Sequence, residues 1–367
     1  MEKIKAAIVG LGRIASLLED DERREKPCTH AGAIRDNPGC TLAAGCDLSE
    51  ERRRLFAGRW EVPVFSDASE MIRAVNPQIL VIATHPDSHL EYCRLANKML
   101  IPVVICEKPL AGTLGDARKI ASFAKQSSIA KQSSSRAASQ GKTTIIVNHE
   151  RRYSEDYIKA KSIISSGKLG KLLSVRSVLY MGKTQKLLDV FWHDGTHLVD
   201  AIMYLTGMRL KHHRHSGARL TSSAGTAWLE AKLLGSKPSH NNPTPTPVVI
   251  EIGAGRDHYD PTPTPVVIEI GAGRDHLVFE IEFSFEKGRL RIGNGIFEIW
   301  ESGECPYAEK FRSLIKTEEN FTEKTALFAN MISDAVSCVH DSGRKPLSAA
   351  EDGLDVIRYL HSVKAWR

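Results

Sequence analysis

No apolar run in this chain of 367 residues is long enough to cross a bilayer. The N-terminus, Met1-Glu2-Lys3-Ile4-Lys5, leads straight into a strand and lacks the layout of a secretory leader. No membrane partner is expected, and the chain reads as cytoplasmic. Paired cysteines are missing as well. The seven cysteines (28, 40, 46, 93, 106, 305 and 338) are odd in number and show no C-x-x-C spacing. They read as reduced, mostly buried thiols. Charge of one sign is scarce: 50 Lys and Arg against 44 Asp and Glu leave +6, spread without a dominant cluster. That distribution argues against a nucleic-acid partner. What is present is an ordinary globular composition, at a length that suits two domains with a core each.

The first half alternates short apolar runs with helical stretches. Ile4–Val9, Thr41–Cys46, Ile79–Ala83, Val103–Cys106 and Thr144–Val147 read as strands. Ser49–Phe56, Ser66–Ala74, Ser88–Lys98 and Leu114–Lys125 read as helices. This alternation predicts an α/β domain over residues 1–148, with a parallel sheet covered on both faces. Ligands of such sheets bind at the carboxyl ends of the strands. The second half, residues 149–367, changes character. Helices are expected at Ser154–Ser166 and His193–Thr206, and again at about 322–341 and 349–364. Strand-like runs lie between them: Leu172–Tyr180, Thr226–Leu234, Val248–Ile252, Val266–Ile270, Leu277–Phe285, Leu290–Ile292 and Ile296–Glu301. That order predicts an α+β domain on a largely antiparallel sheet.

Residues 243–258 and 261–276 are the same sixteen residues, PTPTPVVIEIGAGRDH. The second copy runs directly into Leu277–Phe285 and is taken as the native strand; the first reads as an insertion. A smaller echo, Ala124–Ser128 repeated at Ala130–Ser134, sits in a Ser/Ala/Gln/Lys stretch without core-forming residues, which reads as a loop.

Gly10-x-Gly12-x-x-Ala15 follows the first strand. The first glycine suits a tight turn, the second lets backbone approach a pyrophosphate, and the third position packs closely. Amides at the following helix start would hold the phosphates. Asp47 ends the second strand, where a carboxylate accepts ribose hydroxyls and repels a 2′-phosphate; NAD is expected in preference to NADP. Residues 16–30 form a long charged first loop, either reaching over an active site or simply solvated. Glu107-Lys108-Pro109 ends the fourth strand, and Lys108 there can stabilise a developing oxyanion. His193, His197 and Asp200 share one face of the expected helix 193–206, with Asp194 near its start. A histidine suits the acid/base of an alcohol-to-ketone conversion near neutral pH. No third ligand accompanies the His-x-x-x-His pair, so no metal is expected. In Lys211-His212-His213-Arg214-His215 the strand period turns the histidines to opposite faces, and the segment reads as a solvated strand.

Together these segments resemble the Gfo/Idh/MocA family of oxidoreductases. The carriers are AAIVGLGRIA (6–15), Asp47, VIATHPDSH (81–89), VICEKPLAG (104–112), ERRYSEDYIKAKSIISSGKLGKL (150–172), HDGTHLVDAIMYLTG (193–207) and RKPLSAAEDGLDVIRYLHSV (344–363). The resemblance implies a Rossmann domain followed by a domain with an open, mainly antiparallel sheet, and an NAD(P) cofactor. It implies a sugar, cyclitol or nucleotide-sugar substrate and a homo-oligomer, dimer or tetramer, built through the second-domain sheet. The matching catalytic lysine is Lys108 and the matching histidine His197. The cofactor-binding set it implies is Gly10, Gly12, Arg13, Ile14, Asp47, Thr84, His85, His89, Glu107, Lys108 and Arg152. The family often carries an aspartate four residues before the histidine; here that position is His193 and Asp194 comes one residue later. His193, Asp194 and His197 therefore all stand as candidates for the proton acceptor. A non-catalytic dinucleotide sensor of the same fold is the alternative function.

Overall fold

The computed structural model describes residues 2–129, 143–181, 186–234, 264–317 and 324–364. The chain divides into two compact units: Met1–Ser154 with Lys324–Arg358, and Glu155–Glu323 with Tyr359–Arg367.

The first unit holds six strands, β1 (Ile4–Val9), β2 (Cys40–Cys46), β3 (Val64–Phe65), β4 (Ile79–Ile82), β5 (Val103–Cys106) and β6 (Thr144–Val147). They lie in the order β3-β2-β1-β4-β5-β6, every pair parallel. All residues of β4, β5 and β6 are buried, which explains their unbroken apolar runs. Helices α1 (His30–Asp36), α2 (Glu50–Trp60), α3 (Ala68–Val75), α4 (His89–Lys98) and α5 (Leu114–Ile129) alternate with the strands. The side chains of Thr29, Ser49 and Asp67 accept backbone N–H bonds at the starts of α1, α2 and α3. This is the Rossmann order, which reverses between β1 and β4 and opens a crevice at their carboxyl ends.

One expectation is corrected here. The boundary drawn at residue 148 assigned everything after it to the second domain. Instead α9 (Leu327–His340) and most of α10 (Ala350–Lys364) belong to the first unit. The reason lies in α9: Phe328, Met331, Ile332 and Ala335 recur at helical spacing and join the core made by Ile8, Ile79, Val103 and Ile105. Chain order alone hides this.

The second unit holds eight strands: β7 (Leu172–Tyr180), β8 (Arg209–Gly217), β9 (Gly225–Leu234), β10 (Pro265–Ala272), β11 (Val278–Phe285), β12 (Gly288–Gly293), β13 (Ile296–Glu304) and β14 (Arg312–Lys316). Their order is β14-β13-β12-β11-β7-β10-β9-β8, antiparallel except for the β10–β7 pair. In β11, Phe279, Ile281, Phe283 and Phe285 are buried in strict alternation, as a sheet covered on one face requires. Helices α6 (Glu155–Ser165), α7 (Leu187–His193) and α8 (Gly195–Thr206) pack against β12, β10 and β7 respectively. Arg291 bonds Glu280 (2.6 Å) and Glu298 (2.9 Å) across three strands. The second copy of the repeat supplies β10, in register with β7 and β9; the first copy, with the strand expected at Val248–Ile252, lies outside the described residues. The histidine strand departs from simple alternation. A bulge between His212 and Arg214 brings the His212 and His215 rings into a stack at 6.2 Å. His212 is buried rather than solvated and meets the Tyr359 ring edge-on.

Candidate active site

Gly10 sits at φ +87°, and a Cβ there would lie 2.6 Å from Ala83 O, so only glycine fits where β1 passes the end of β4. Gly12 differs: a Cβ there would meet only the tip of Arg52, at 3.9 Å. The backbone then winds into helical turns, with Ser16 N–H and Leu18 N–H donating to Gly12 O (3.1 Å) and Arg13 O (2.9 Å). Amides in the first turn of such a winding, here Gly12, Arg13 and Ile14, have no carbonyl behind them to bond. The turn thus offers both space and donors for an anion.

Asp47 closes this turn. Its Oδ2 accepts from Leu11 N–H (2.8 Å) and its Oδ1 from Ser49 N–H (2.8 Å). Arg52 stands 3.6 Å from the same carboxylate. Arg53 donates to the Asp47 and Leu48 carbonyls and fixes the start of α2.

The loop of residues 16–30 is tied down at several points. Lys26 Nζ donates to Asp21 O (2.8 Å), and Thr29 Oγ1 donates to Glu19. Glu25 accepts from Thr325 N–H (2.7 Å), Thr325 Oγ1 (2.8 Å) and Ala326 N–H (2.7 Å), just before α9. The loop is a brace for the returning C-terminal segment.

Lys108 follows β5 and is half-buried. The Glu107 carboxylate beside it is buried and fully engaged. Oε1 accepts from His30 Nε2 (2.7 Å) and Asn148 Nδ2 (2.6 Å), and Oε2 accepts from Lys108 N–H (3.2 Å). Burial works to raise the Glu107 carboxyl, but the bond and charge of His30, the Asn148 bond and the Lys108 charge outweigh it and hold the group below its usual range. Glu107, expected in the cofactor set, gathers these three bonds at the end of β5. Sequence reasoning missed His30 and Asn148. Their only signal was position: Thr29 as a helix cap for His30, and a strand end for Asn148.

The other residues of the expected cofactor set differ in their burial. Thr84 is half-buried and accepts from Ser88 Oγ (2.7 Å), and His85 is exposed. His89 is fully buried, with its ring nitrogens 3.2 Å from Leu110 O and 3.1 Å from Thr84 O. Burial lowers its pKa, and it ties the loop after β4 to the loop after β5. Arg152 is buried too, donating to Leu347 O (3.0 Å) and paired with Asp352 (3.1 Å). Both are structural ties: no face of His89, and little of Arg152, is open to a ligand.

In the second unit the expected helix 193–206 is broken. His193 ends α7, Asp194 is the joint, and α8 begins at Gly195. His193 therefore lies across that joint from His197 and Asp200. Its side chain is 67% exposed and lies 2.9 Å from Asp194 Oδ1. Asp194 Oδ2 is buried with no hydrogen-bond partner among the described residues. His197 is half-buried, with its N–H donating to Asp194 O (3.1 Å); Asp200 is buried.

The profile of the Gfo/Idh/MocA oxidoreductase family, NAD-binding Rossmann fold, matches residues 4–133. The inositol 2-dehydrogenase of Salmonella typhimurium is 26% identical over 186 residues, 49% of this chain and 47% of that protein. The D-apiose dehydrogenase of Paraburkholderia graminis is 30% identical over 119 residues, 32% and 28% of the two chains. The chain thus spans about half the length, or less, of the curated relatives it matches. Among solved structures, an oxidoreductase domain protein from Kribbella flavida superposes with a TM-score of 0.72 at 18% identity, covering 100% of this chain and 97% of the other. The UDP-N-acetylglucosamine 3-dehydrogenase of Acidithiobacillus ferrooxidans superposes at 0.69 and 13% identity, covering 100% and 98%. These likenesses extend the fold over both units. Over residues 4–133 the Rossmann unit matches the Gfo/Idh/MocA oxidoreductase family.

Proposed function

We propose that the protein is an NAD(P)-dependent dehydrogenase or reductase acting on a CH–OH carbon of a sugar, cyclitol or nucleotide sugar. The observation that carries this reading is Lys108, set at the end of β5 by a buried, fully bonded Glu107, in the same sheet whose first strand ends in an open glycine turn. Gly12, Arg13 and Ile14 would hold the pyrophosphate and Asp47 the adenosine ribose. The carboxylate of Asp47 disfavours a 2′-phosphate, so NAD is preferred. When bound, the nicotinamide supplies the hydride acceptor or donor. His197 takes the substrate hydroxyl proton, and Lys108 stabilises the oxygen as charge develops. Asp194 or His193 orients the imidazole or relays its proton. The relatives that act on inositol and apiose support the polyol and sugar class. A homo-oligomer through the second-unit sheet and a cytoplasmic location complete the reading, the latter supported by seven free cysteines.

A screen of NAD and NADP against polyols, aldoses and nucleotide sugars tests the activity directly. Turnover with a hydroxylated substrate is expected; dinucleotide binding without turnover on any of them would favour the sensor. Asp47→Ser is expected to narrow the NAD-over-NADP ratio by about tenfold, one unit of charge–phosphate repulsion in a crevice. Equal NADP affinity in the unaltered protein would refute the role given to Asp47.

A further inference from the structure

His30 is the first residue of α1 and is fully buried. Its backbone N–H donates to Ile14 O (3.1 Å), and Ala31 N–H donates to Ala15 O (3.0 Å). The start of α1 therefore hangs from the last residues of the glycine turn. Its ring points the other way, to Glu107, where Nε2 must carry the proton because an ionised carboxylate only accepts. Phe328 stands edge-on to the ring at 5.3 Å and leaves it little freedom to rotate. One residue thus joins the anion-binding turn, through its backbone, to the Glu107 carboxylate, through its ring.

We propose that His30 is a positioning residue for Lys108: it locks the Glu107 carboxylate from the glycine turn, so that the dinucleotide turn and the lysine are held as one piece. The proposal rests on the role given to Lys108 above. Glu107 is shared by three elements, α1 through His30, β5 through Lys108 N–H and the end of β6 through Asn148. The other titratable groups on which its charge acts are Glu150, which burial raises, His89, which burial lowers, and the Cys106 thiol, which burial raises. None of these three supplies Glu107 with a hydrogen bond. Without the His30 donor, burial drives Glu107 toward its neutral acid. The Lys108 N–H then loses its ionised acceptor, and the lysine is no longer pinned at the end of β5.

The test uses the whole chain and needs no substrate. Cyanate carbamoylates the free amine of lysine, and peptide mass spectrometry reads the rate at Lys108 across pH, with and without NADH. NADH affinity is followed by fluorescence. In His30→Ala the Lys108 rate near pH 8 is expected to rise about tenfold as the lysine is freed, the worth of one lost charge-assisted hydrogen bond, while NADH affinity stays within about threefold. His30→Gln, which retains a donor of similar reach, is expected to restore the rate to within about threefold of the unaltered protein. A Lys108 profile in His30→Ala that superimposes on the unaltered protein overturns the proposal. So does a lower melting temperature in both variants with no change at Lys108, the mark of a purely structural residue. If His30→Ala does not fold, Asn148→Ala removes the second donor to the same oxygen, and an unchanged Lys108 rate there is equally fatal. NADH that binds the unaltered protein yet leaves Lys108 modification unslowed would instead refute the role of Lys108 itself, whatever the His30 variants do.

Discussion

The two clusters of candidate catalytic side chains are held in opposite ways. At the end of β5, three donors from three elements converge on one buried carboxylate, and Lys108 is attached to that hub through its own amide. At the joint between α7 and α8, a largely exposed histidine pairs with the aspartate next to it in sequence, and His197 is tied to the joint by a backbone bond. A group held from several directions in a water-poor setting keeps its geometry before any ligand arrives, and reorganises little during reaction. A pair whose histidine faces solvent is screened on that side, and the exposed ring has other rotamers within reach. The lysine side is pre-set. The histidine side is the adjustable half.

The comparison is most sharply tested by turnover. Lys108→Ala and His197→Ala are each expected to lower kcat by roughly 10²- to 10⁴-fold with NAD affinity retained, because neither belongs to the glycine turn. Full turnover per folded molecule in His197→Ala would move the acid/base role to His193. Stability separates the clusters next. Glu107→Leu leaves His30 and Asn148 buried without their acceptor and is expected to cost about 3–5 kcal/mol, whereas Asp194→Asn, which weakens a pair whose histidine is exposed, is expected to cost about 0–1 kcal/mol. Equal losses in urea melts would erase the distinction. The smallest effect concerns acid. Burial, with the charges of His215 and His213, pushes His212 in the second unit from 6.5 down to about 4. A depressed pKa means stability that is complete above 6.5 and is lost as the pH falls toward about 4. Glu107, also depressed, gives up its share only as the pH falls below its ordinary 4.5. Between those limits His212 acts and Glu107 is silent, although His89, lowered from 6.5, contributes from the first unit. His212→Phe is expected to flatten the loss of stability between pH 6.5 and 4.5, by at most about 1.4 kcal/mol per pH unit. Parallel melting curves for the two proteins across that range would show that His212 is not a proton-linked group.

Much of the Rossmann sheet was legible because its strands are short apolar runs closed by Gly10, Asp47, Thr84, Glu107 and Asn148, and burial on both faces leaves no other reading. Helix α1 was not: its seven residues begin inside a charged loop, and only the packing of Ala31, Ala33 and Ile34 marks them. Edge strand β14 escaped because Arg312–Lys316 is mostly exposed and carries no alternation of apolar and polar residues. The α7–α8 joint escaped because the spacing of His193, His197 and Asp200 suits one continuous helix, and local sequence does not reveal where the axis breaks. At the site, residue types pointed to Lys108 and Asp47, but the hub under the lysine joins residues 30, 107 and 148, and nothing in spacing announces such a contact. The same holds for Arg152 and His89, whose partners lie at Asp352 and Leu110.

The return of α9 to the first unit has a consequence for biosynthesis. The ribosome finishes all six strands of the Rossmann sheet by Val147, yet Phe328, Met331, Ile332 and Ala335 of the same core are still untranslated. At roughly 5–20 residues per second they follow on the order of ten to forty seconds later. Until then the nascent sheet has an open apolar seat, and its closing contacts are among the most distant in sequence that the chain makes. Such late, non-local closure slows folding and exposes apolar surface meanwhile. A chain stopped at residue 323 should therefore bind a hydrophobic dye and melt without cooperativity, even though every strand of its Rossmann sheet is present.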